Sequence, residues 1–556
     1  MVKISKAVEH QKESAVLRKE SLYKRSILRY NLCRRKSGKG GVFMKRSSGV
    51  LLHITSLPGR YGVGTLGKNA RRFADFCHQA GLSWWQILPV GPAGNGNSPY
   101  QSDSVFAGNP DLIDLEQLIE WGLLKREECD RLDWGDRADR VCFEKLHRNR
   151  PQLLRLSFAR AKQDSALWEQ VQRFVAEQDW LDDYALYLAL KQQMGGKPWQ
   201  QWDTPLAKRD RQVLNRWKER LQEEMEYHCW VQYLFFEQWA QLREYCNRKG
   251  VRLIGDTPIY VAPDSCDTWV NSRLFEYDED FHPLRVAGCP PDYFSKTGQL
   301  WGNPLYRWDV MEKEGFDWWI TRIRAMSRLF DLTRIDHFRG FAGYYAIDAD
   351  ATTAENGRWE QGPGEKFFDT LFKKLPNTAL IAEDLGIITK DVEQLRDHYR
   401  LPGMKILQFA FSVQEQSSYL PHNCPKRAVI YTGTHDNDTT RGWAAALDKQ
   451  QRRMASAYLG VKKQADFSWA MIRAAWNSCC ELAIAPMQDF LNLPSTARMN
   501  TPSTVGDNWS WRMLEGQADK KLAKQIRRLN QASWRMPQYK TGIRAKQKEK
   551  QEIKKG

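Results

Sequence analysis

Short apolar runs alternate with longer amphipathic stretches over most of the chain. An apolar run of strand length followed by a helix-length stretch is typical of a βα unit, in which the strands form a parallel sheet. Eight runs fit this description, and we predict strands at residues 49–57, 84–90, 251–261, 332–338, 379–384, 404–411, 428–434 and 481–487. Eight such strands predict an α/β fold of the (β/α)8, or TIM barrel, type.

Two long insertions interrupt this alternation. Residues 93–227 are rich in helix formers and in Trp, Arg and Gln, so we expect a mostly helical subdomain after the second strand. Residues 262–316 follow the third strand, are rich in Gly, Pro, Asp and aromatic residues, and show no periodicity. We predict a long loop region there, on the face where barrel enzymes carry their active sites.

The two ends of the chain differ in charge from the rest. Residues 1–43 carry 12 Lys and Arg against 3 Glu and lack a core-forming pattern, while residues 540–556 carry 7 against 2. These ends hold most of the formal net charge of +17. We predict a basic, disordered extension over 1–43, a barrel with its insertions over 44–539, and a basic tail over 540–556. The near-neutral interior argues against a nucleic-acid partner.

Composition narrows the class of protein further. Hydrophobic residues make up 42% of the chain and charged residues 27%, which is typical of a soluble globular protein. No stretch reaches 18 apolar residues and the basic start lacks an apolar signal region, so we predict no membrane partner and no secretion. The 11 cysteines are scattered without a C-x-x-C motif, which favours reduced thiols in a cytoplasmic protein and no metal site.

Acidic residues stand at four points where a predicted strand meets its following loop. In a barrel these points share the catalytic face, so the acids are expected to converge there. A single acid in such a place is common as a turn former, and Asp256, which precedes a proline, keeps that alternative. The four residues are Asp256, Asp336, Glu383 and Asp436.

Two of these acids suggest a mechanism. Asp336 and Glu383 end consecutive predicted strands, and neighbouring strands lie about 4.8 Å apart. Retaining glycosidases hold their two carboxyls roughly 5 to 5.5 Å apart, so the spacing favours retention. Arg334 shares a strand face with Asp336 and should keep it ionised as a nucleophile. Glu383 has no such partner and is the better general acid/base, whereas Asp384 should point to the opposite face.

Histidines and aromatic residues add binding chemistry around the acids. His337 and His435 directly follow or precede an acid, so they can hydrogen bond a substrate, although a capping or core role is the alternative for each. Flat rings beside polar groups suit the apolar faces of sugar rings. The predicted catalytic-face loops offer several, although each could equally belong to the core: Tyr100, Trp269, Tyr293, Phe294, Trp301 and Tyr306.

Seven strings in and beside these loops form recognisable motifs: SPYQS at 98–102, FAGNP at 106–110, PPDYF at 290–294, GQLWGNP at 298–304, RIDHFRG at 334–340, AEDLG at 382–386 and THDND at 434–438. Together they resemble the amylomaltases, the 4-α-glucanotransferases or disproportionating enzymes of glycoside hydrolase family 77. The resemblance runs from about residue 46 to residue 512, and Ser503 stands where that family usually has Gly.

The resemblance implies roles for individual residues. It makes Asp336 the nucleophile, Glu383 the acid/base and Asp436 the second Asp, which grips sugar hydroxyls. It also implies a set of substrate-binding residues: Tyr100, Asp256, Asp292, Gln299, Trp301, Asn303, Arg334, His337 and His435. It implies as well a barrel without the C-terminal β-domain of α-amylases, and a reaction that needs no cofactor.

The sequence thus predicts a retaining 4-α-glucanotransferase. Its partners would be malto-oligosaccharides, glucans derived from starch or glycogen, and glucose as acceptor. The nearest alternative is an α-1,4-glucan hydrolase that uses water in place of the acceptor. A non-catalytic glucan-binding protein is less favoured, because all three catalytic-type acids are present.

Overall fold

The computed structural model describes residues 45–291, 296–412, 416–504 and 506–537. The predicted extension 1–43, the tail 540–556 and residues 292–294, which include the predicted binding residue Asp292, lie outside the described residues. Twelve strands are present in the described ranges: β1 Ser47–Leu51, β2 Trp84–Gln86, β3 Arg252–Thr257, β4 Arg285–Cys289, β5 Gln299–Pro304, β6 Leu332–Ile335, β7 Gly343–Asp348, β8 Arg358–Gln361, β9 Leu380–Ala382, β10 Gly403–Ile406, β11 Ala428–Tyr431 and β12 Leu482–Pro486.

Eight of these strands form one parallel sheet in the order β10-β11-β12-β1-β2-β3-β6-β9. Two hydrogen bonds connect its outermost strands. The Ala382 N–H donates to the Pro402 carbonyl at 3.0 Å, and the Met404 N–H donates to the Asp384 carboxylate at 2.6 Å. The sheet is therefore nearly closed into the predicted barrel, and the Asp384 side chain completes the seam.

All eight predicted barrel strands are confirmed, but each of them ends earlier than predicted. The second strand was predicted to reach Val90, for example, and it ends at Gln86. The residues beyond it, such as Ile87 and Leu88, are still buried although they have left the hydrogen-bonded ladder. An apolar run therefore reports burial, and it overestimates the length of the strand where buried loops line the top of a barrel.

Nineteen α-helices occur in the described ranges, and the predicted helical insertion after the second strand is confirmed. It contains α2 to α8 and the first residues of α9. The helices are α1 Lys68–Ala80, α2 Leu115–Glu120, α3 Arg126–Asp130, α4 Phe143–Ala161, α5 Ser165–Ala176, α6 Leu181–Gln193, α7 Thr204–Ala207, α8 Arg211–Arg220, α9 Gln222–Arg248, α10 Cys266–Val270, α11 Trp308–Lys313, α12 Asp317–Leu329, α13 Gly364–Lys374, α14 Lys390–His398, α15 Thr440–Ala446, α16 Lys449–Leu459, α17 Phe467–Asn477, α18 Met487–Phe490 and α19 Lys520–Ala532.

Several helices begin and end at residues that suit a helix cap. The side chains of Asp164, Asp210 and Asp519 accept backbone N–H groups at the starts of α5, α8 and α19. Gly81 ends α1 in a left-handed conformation with φ of 71°, which glycine adopts at low cost. These local signals fix where α1, α5, α8 and α19 begin or end.

The insertion after β3 contains more regular structure than the loop region that we predicted. Its strands β4 and β5 join β7 and β8 in a four-stranded antiparallel sheet of order β5-β4-β7-β8. In this sheet Val286 pairs with Ile347 and Tyr345 pairs with Trp359. The ladder joins two segments that follow different barrel strands, so no local periodicity in residues 262–316 could report it.

After β12 the described chain adds α18 and α19 and no further strand. Helix α19 packs beside α1 and returns the chain to the amino end of the barrel, where Asn530 donates to the Ala80 carbonyl at 2.9 Å. None of the helices in the described ranges is both long enough and apolar enough to cross a membrane.

Candidate active site

The barrel brings the four predicted acids to its carboxyl end. Asp256 lies on β3, and the other three directly follow or closely follow β6, β9 and β11. Strands β3, β6 and β9 are consecutive neighbours in the sheet, with Ile335 paired to both Thr257 and Ala382. The prediction that Asp336 and Glu383 follow adjacent strands is thus confirmed.

A buried arginine links two of these acids. The Arg334 guanidinium donates to both oxygens of Asp256, at 2.8 and 2.6 Å, and lies 2.8 Å from Asp336 Oδ1. The Tyr100 hydroxyl donates to Asp256 Oδ2 at 2.8 Å. Because Arg334 and Asp256 are almost completely buried, they form a fixed base on which the more exposed Asp336 carboxylate is held.

The Glu383 carboxylate is held by backbone groups instead. Its Oε2 accepts the His337 N–H at 2.6 Å and its Oε1 accepts the Leu385 N–H at 3.0 Å. His337 has a left-handed backbone with φ of 47° and ψ of 50°, a strained conformation for a residue with a side chain. With this backbone conformation the His337 N–H points to Glu383.

Burial raises the pKa of both carboxyls, and that of Glu383 rises more than that of Asp336. Burial, with a smaller contribution from the nearby Asp336, raises the pKa of Glu383 to about 8 against the opposing effects of Arg334 and the His337 N–H. Burial also raises the pKa of Asp336, to about 6, while Arg334 opposes the rise. Near neutral pH Asp336 is therefore ionised and Glu383 retains its proton, which is the order that the sequence predicted.

Asp436 occupies the more open side of the site, with 43% of its side chain exposed. Asn500 donates to its Oδ1 at 2.6 Å, and His435 Nε2 lies 3.3 Å from its Oδ2. The His435 ring stacks on Tyr100, with centroids 5.2 Å apart and planes at 10°. Burial lowers the pKa of His435, so a neutral imidazole faces Asp436 near neutral pH.

Strand β5 brings three more predicted residues to the site region, in different ways. The Trp301 ring meets the His337 ring edge-on at 4.9 Å and donates its Nε1–H to Gln299 Oε1 at 3.1 Å. Asn303 is buried and donates to the Val261 carbonyl at 2.7 Å, so its amide fastens β5 to the segment after β3. Two further rings that were predicted for the catalytic-face loops, Trp269 and Tyr306, are fully buried core residues instead.

Comparison with known proteins is consistent with this geometry. A sequence profile of glycoside hydrolase family 77, described as 4-alpha-glucanotransferase, matches residues 52–517. The chain belongs to the 4-alpha-glucanotransferase family. A relative from Thermus thermophilus with that name is 45% identical over 504 residues, covering 89% of this chain and all of the relative. One from Clostridium butyricum is 43% identical over 483 residues, covering 86% of this chain and 98% of the relative.

A solved structure extends the likeness to three dimensions. The amylomaltase from Streptococcus agalactiae, in complex with acarbose, superposes with a TM-score of 0.87 at 38% sequence identity. The alignment covers 89% of this chain and all of that one. This member of the 4-alpha-glucanotransferase family therefore has the amylomaltase fold. The comparisons favour a transferase over the hydrolase alternative.

In this 4-alpha-glucanotransferase family member, two further residues reach the site that the sequence analysis did not select. Asn500 binds Asp436, and the Trp509 ring lies 5.8 Å from Tyr100 and 5.9 Å from His435. Both come from the segment that follows the last barrel strand. The rule used for the other loops, that residues after a barrel strand reach the catalytic face, would have selected this segment too.

Asp384 lies beside Glu383 in sequence but has a different function. Its carboxylate accepts from Arg396 at 2.6 Å and from the Met404 N–H, so it faces away from Asp336, as predicted. In the part of the chain that the structure describes, no group of three or more His, Cys, Asp or Glu side chains is arranged to hold a metal ion.

Proposed function

We propose that this protein transfers α-1,4-glucan segments between sugars by double displacement with retention of configuration. The observation that carries the proposal is the placement of Asp336 and Glu383 after adjacent strands. Asp336 also forms an ion pair with Arg334, whereas Glu383 accepts backbone N–H groups. Adjacent strands lie about 4.8 Å apart, which suits the roughly 5 to 5.5 Å of retaining enzymes and leaves too little room for an inverting water.

In the first step Asp336 attacks the anomeric carbon while Glu383 donates its proton to the leaving glycosidic oxygen. The bond between that oxygen and the anomeric carbon breaks, and a glycosyl ester forms on Asp336. Burial keeps Glu383 protonated for this role. Once the proton has left, the His337 and Leu385 N–H groups stabilise the resulting carboxylate.

In the second step Glu383 removes the proton from the 4-hydroxyl of an incoming sugar. That oxygen attacks the anomeric carbon, the bond to Asp336 breaks, and Glu383 is protonated again. A sugar held in place competes with abundant water because positioning can lower the barrier by roughly 7 kcal/mol or more. We propose that the loops carrying Tyr100 and Trp301 hold this acceptor.

The remaining predicted residues fit roles in binding. Asp436, held by Asn500 and beside a neutral His435, would grip sugar hydroxyls at the reacting ring. His337 Nε2 has no hydrogen-bond partner among the described residues, and its ring is neutral because burial lowers its pKa to about 4. It can therefore exchange a hydrogen bond with a hydroxyl. Gln299 would act by orienting Trp301, and Asn303 would act by positioning β5. Asp292 stays a predicted contact with the substrate.

We propose malto-oligosaccharides and glucans from starch or glycogen as donors, with glucose among the acceptors. The acarbose complex of the Streptococcus agalactiae amylomaltase supports this substrate class, since the two chains share the fold over 89% of this one. No step requires a cofactor. The division into an extension 1–43, a barrel 44–539 and a tail 540–556, like the cytoplasmic location, remains a prediction.

Incubation with pure maltotriose tests the proposed reaction. Each transfer breaks one α-1,4 bond and makes another, so glucose should appear together with maltopentaose and longer chains at a nearly constant number of reducing ends. A steady rise in reducing ends, with no product longer than maltotriose, would contradict transfer and leave hydrolysis. Binding of maltotriose with no products at all would indicate a non-catalytic glucan-binding protein.

A further inference from the structure

Asp436 lies farther from its barrel strand than the other two catalytic acids do. Asp336 and Glu383 directly follow β6 and β9, whereas Asp436 is the fifth residue after the end of β11. It belongs to residues 432–440, which run from the end of β11 to the first residue of α15 and which we call the β11 loop. The β11 strand alone therefore does not place this acid, and its position depends on whatever fixes the loop.

A single buried carboxylate binds both ends of the β11 loop. The Thr432 hydroxyl donates to Asp489 Oδ2 at 2.6 Å, and the Thr440 hydroxyl donates to the same oxygen at 2.7 Å. The Thr440 N–H donates to Asp489 Oδ1 at 2.7 Å. Asp489 lies in α18, which directly follows β12, the neighbour of β11 in the sheet. The adjacent strand thus supplies the group that joins the two ends of the loop.

The middle of the β11 loop is held by bonds of its own. Asn437 Oδ1 accepts both the Thr434 N–H and the Thr434 hydroxyl, each at 2.9 Å. His435 and Asp436 lie within this hydrogen-bonded turn. A turn of this kind passes the position of its ends on to the residues that it contains, so a group that fixes Thr432 and Thr440 also affects Asp436.

The segment after β12 makes further contacts with the loop nearer the solvent. The Ser495 hydroxyl donates to Asp438 Oδ2 at 2.6 Å, and Arg498 donates to the Asp436 carbonyl at 2.6 Å. The first of these bonds is exposed and the second is partly buried. Asp489, in contrast, is 1% exposed. Water can replace an exposed hydrogen bond that is lost, whereas the donors of a deleted buried acceptor stay unpaired.

A second buried acid offers a matched control. Asp114 is 8% exposed, and it accepts the Thr65 hydroxyl at 2.5 Å and the Gln117 N–H at 2.8 Å, where it caps α2. In the part of the chain that the structure describes, no hydrogen bond of Asp114 reaches the β11 loop. It therefore has the burial and the donors of Asp489 without the link to Asp436.

We propose that Asp489 is a positioning residue for the transfer reaction, which acts through Asp436 by holding both ends of the β11 loop. The inference rests on the proposed function, because it assigns Asp436 its grip on the sugar at the reacting ring. Asp489 itself touches neither the sugar nor the reacting atoms. A purely structural role would lower stability, and its effect on turnover would not depend on Asp436.

Single variants measure the size of the effect through fluoride release from an α-glucosyl fluoride. Asp489→Ala leaves three buried donors unpaired, so kcat/KM of the folded enzyme should fall by about tenfold or more. Thr432→Val combined with Thr440→Val keeps the carboxylate and removes two donors, so it serves if Asp489→Ala does not fold. This pair should lower kcat/KM by about fivefold. Asp114→Ala should lower the melting temperature and change kcat/KM less than twofold, and an equal loss there would overturn the proposal.

A double-mutant cycle then separates positioning from stability. In an Asp436→Asn background the loop no longer presents a carboxylate, so adding Asp489→Ala or the valine pair should change kcat/KM less than twofold. The full tenfold or fivefold loss in that background would show that Asp489 does not act through Asp436, and the inference would be wrong. A wild-type protein that forms no longer chains from maltotriose would instead refute the proposed function, so the two failures are distinguishable.

Discussion

Each end of the barrel contains a buried arginine, and the two arginines bind different kinds of group. At the carboxyl end Arg334 contacts the carboxylates of Asp256 and Asp336. At the amino end Arg535 binds backbone carbonyls, among them those of Ser47 and Glu481 at the starts of β1 and β12. The same guanidinium therefore orients reacting groups at one end and satisfies the carbonyls around the strand starts at the other.

This difference distinguishes a part of the barrel that carries the chemistry from a part that stabilises the fold. Carboxylates at the carboxyl end need a counter-charge, and the arginine that supplies it also decides which acid stays ionised. At the amino end the carbonyl oxygens supply only dipoles, so Arg535 and Arg46 hold backbone segments together and orient no reacting group. Substitutions at the carboxyl end should consequently change turnover, and substitutions at the amino end should change the free energy of unfolding.

The largest effect is expected at the carboxyl pair. Asp336→Asn removes the nucleophile and Glu383→Gln removes the transferable proton, so each should lower kcat on maltotriose by about three orders of magnitude or more. The melting temperature should change little. Asp384→Asn is the matched control, since that acid closes the barrel seam, and it should lower stability more than kcat. Near-normal turnover of Asp336→Asn would refute its role as nucleophile.

Replacing each of the two arginines tests whether the two ends of the barrel have different roles. Arg334→Met leaves Asp256 and Asp336 without their cation, so we expect kcat to fall by about a hundredfold or more. Arg535→Met leaves several buried carbonyls unpaired and should lower the free energy of unfolding by about 2–4 kcal/mol, with kcat of the folded enzyme nearly unchanged. Urea unfolding and maltotriose turnover measure both. Equal loss of kcat in the two variants would remove the distinction between the ends.

The pH dependence reports the same electrostatics. Because Asp336 must be ionised, kcat/KM should fall as the pH drops through about 6. Because Glu383 must be protonated, kcat/KM should also fall as the pH rises through about 8. A bell-shaped profile with these two limbs is expected. Glu383→Ala assayed with an α-glucosyl fluoride, whose leaving group needs no proton, should lose the upper limb and keep the lower one. A lower limb near pH 4 would contradict burial as the main cause.

A smaller effect is expected at Asn500. Its 2.6 Å hydrogen bond to Asp436 holds that acid in place, so Asn500→Ala should lower kcat/KM by about tenfold with little loss of stability. Asn508→Ala is the control within the same segment, because Asn508 binds Thr501 and Thr504 and none of the acids. An equal loss of kcat/KM in both variants would indicate a general effect of the loop.

The smallest effect concerns the backbone of that loop. Ser503 has a φ of 61°, in the left-handed region that favours glycine, and a residue with a Cβ is strained there. Ser503→Gly should raise the free energy of unfolding by about 0.5–1 kcal/mol and leave kcat unchanged. Urea unfolding checks this value. A loss of stability would show that the Ser side chain offsets the strain of its backbone.

Much of the fold and the core of the site were predictable because they depend on short-range patterns. The eight barrel strands appear as apolar runs, and Asp256, Asp336, Glu383 and Asp436 appear where those runs end. Their convergence follows from the parallel order of the strands alone. The antiparallel sheet was not predictable in this way, because Val286 pairs with Ile347 across an intervening barrel strand.

The sequence by itself determined which residues can do the chemistry and in what order the strands present them. Tertiary structure decided their state: burial raises the pKa of both Asp336 and Glu383, an effect that neighbours in sequence do not report. It also brought Asn500 to Asp436, and Arg535 to the start of β1. The physical reason is that residue types and periodicity act over a few residues, whereas burial and cross-chain hydrogen bonds arise only after distant segments have packed together.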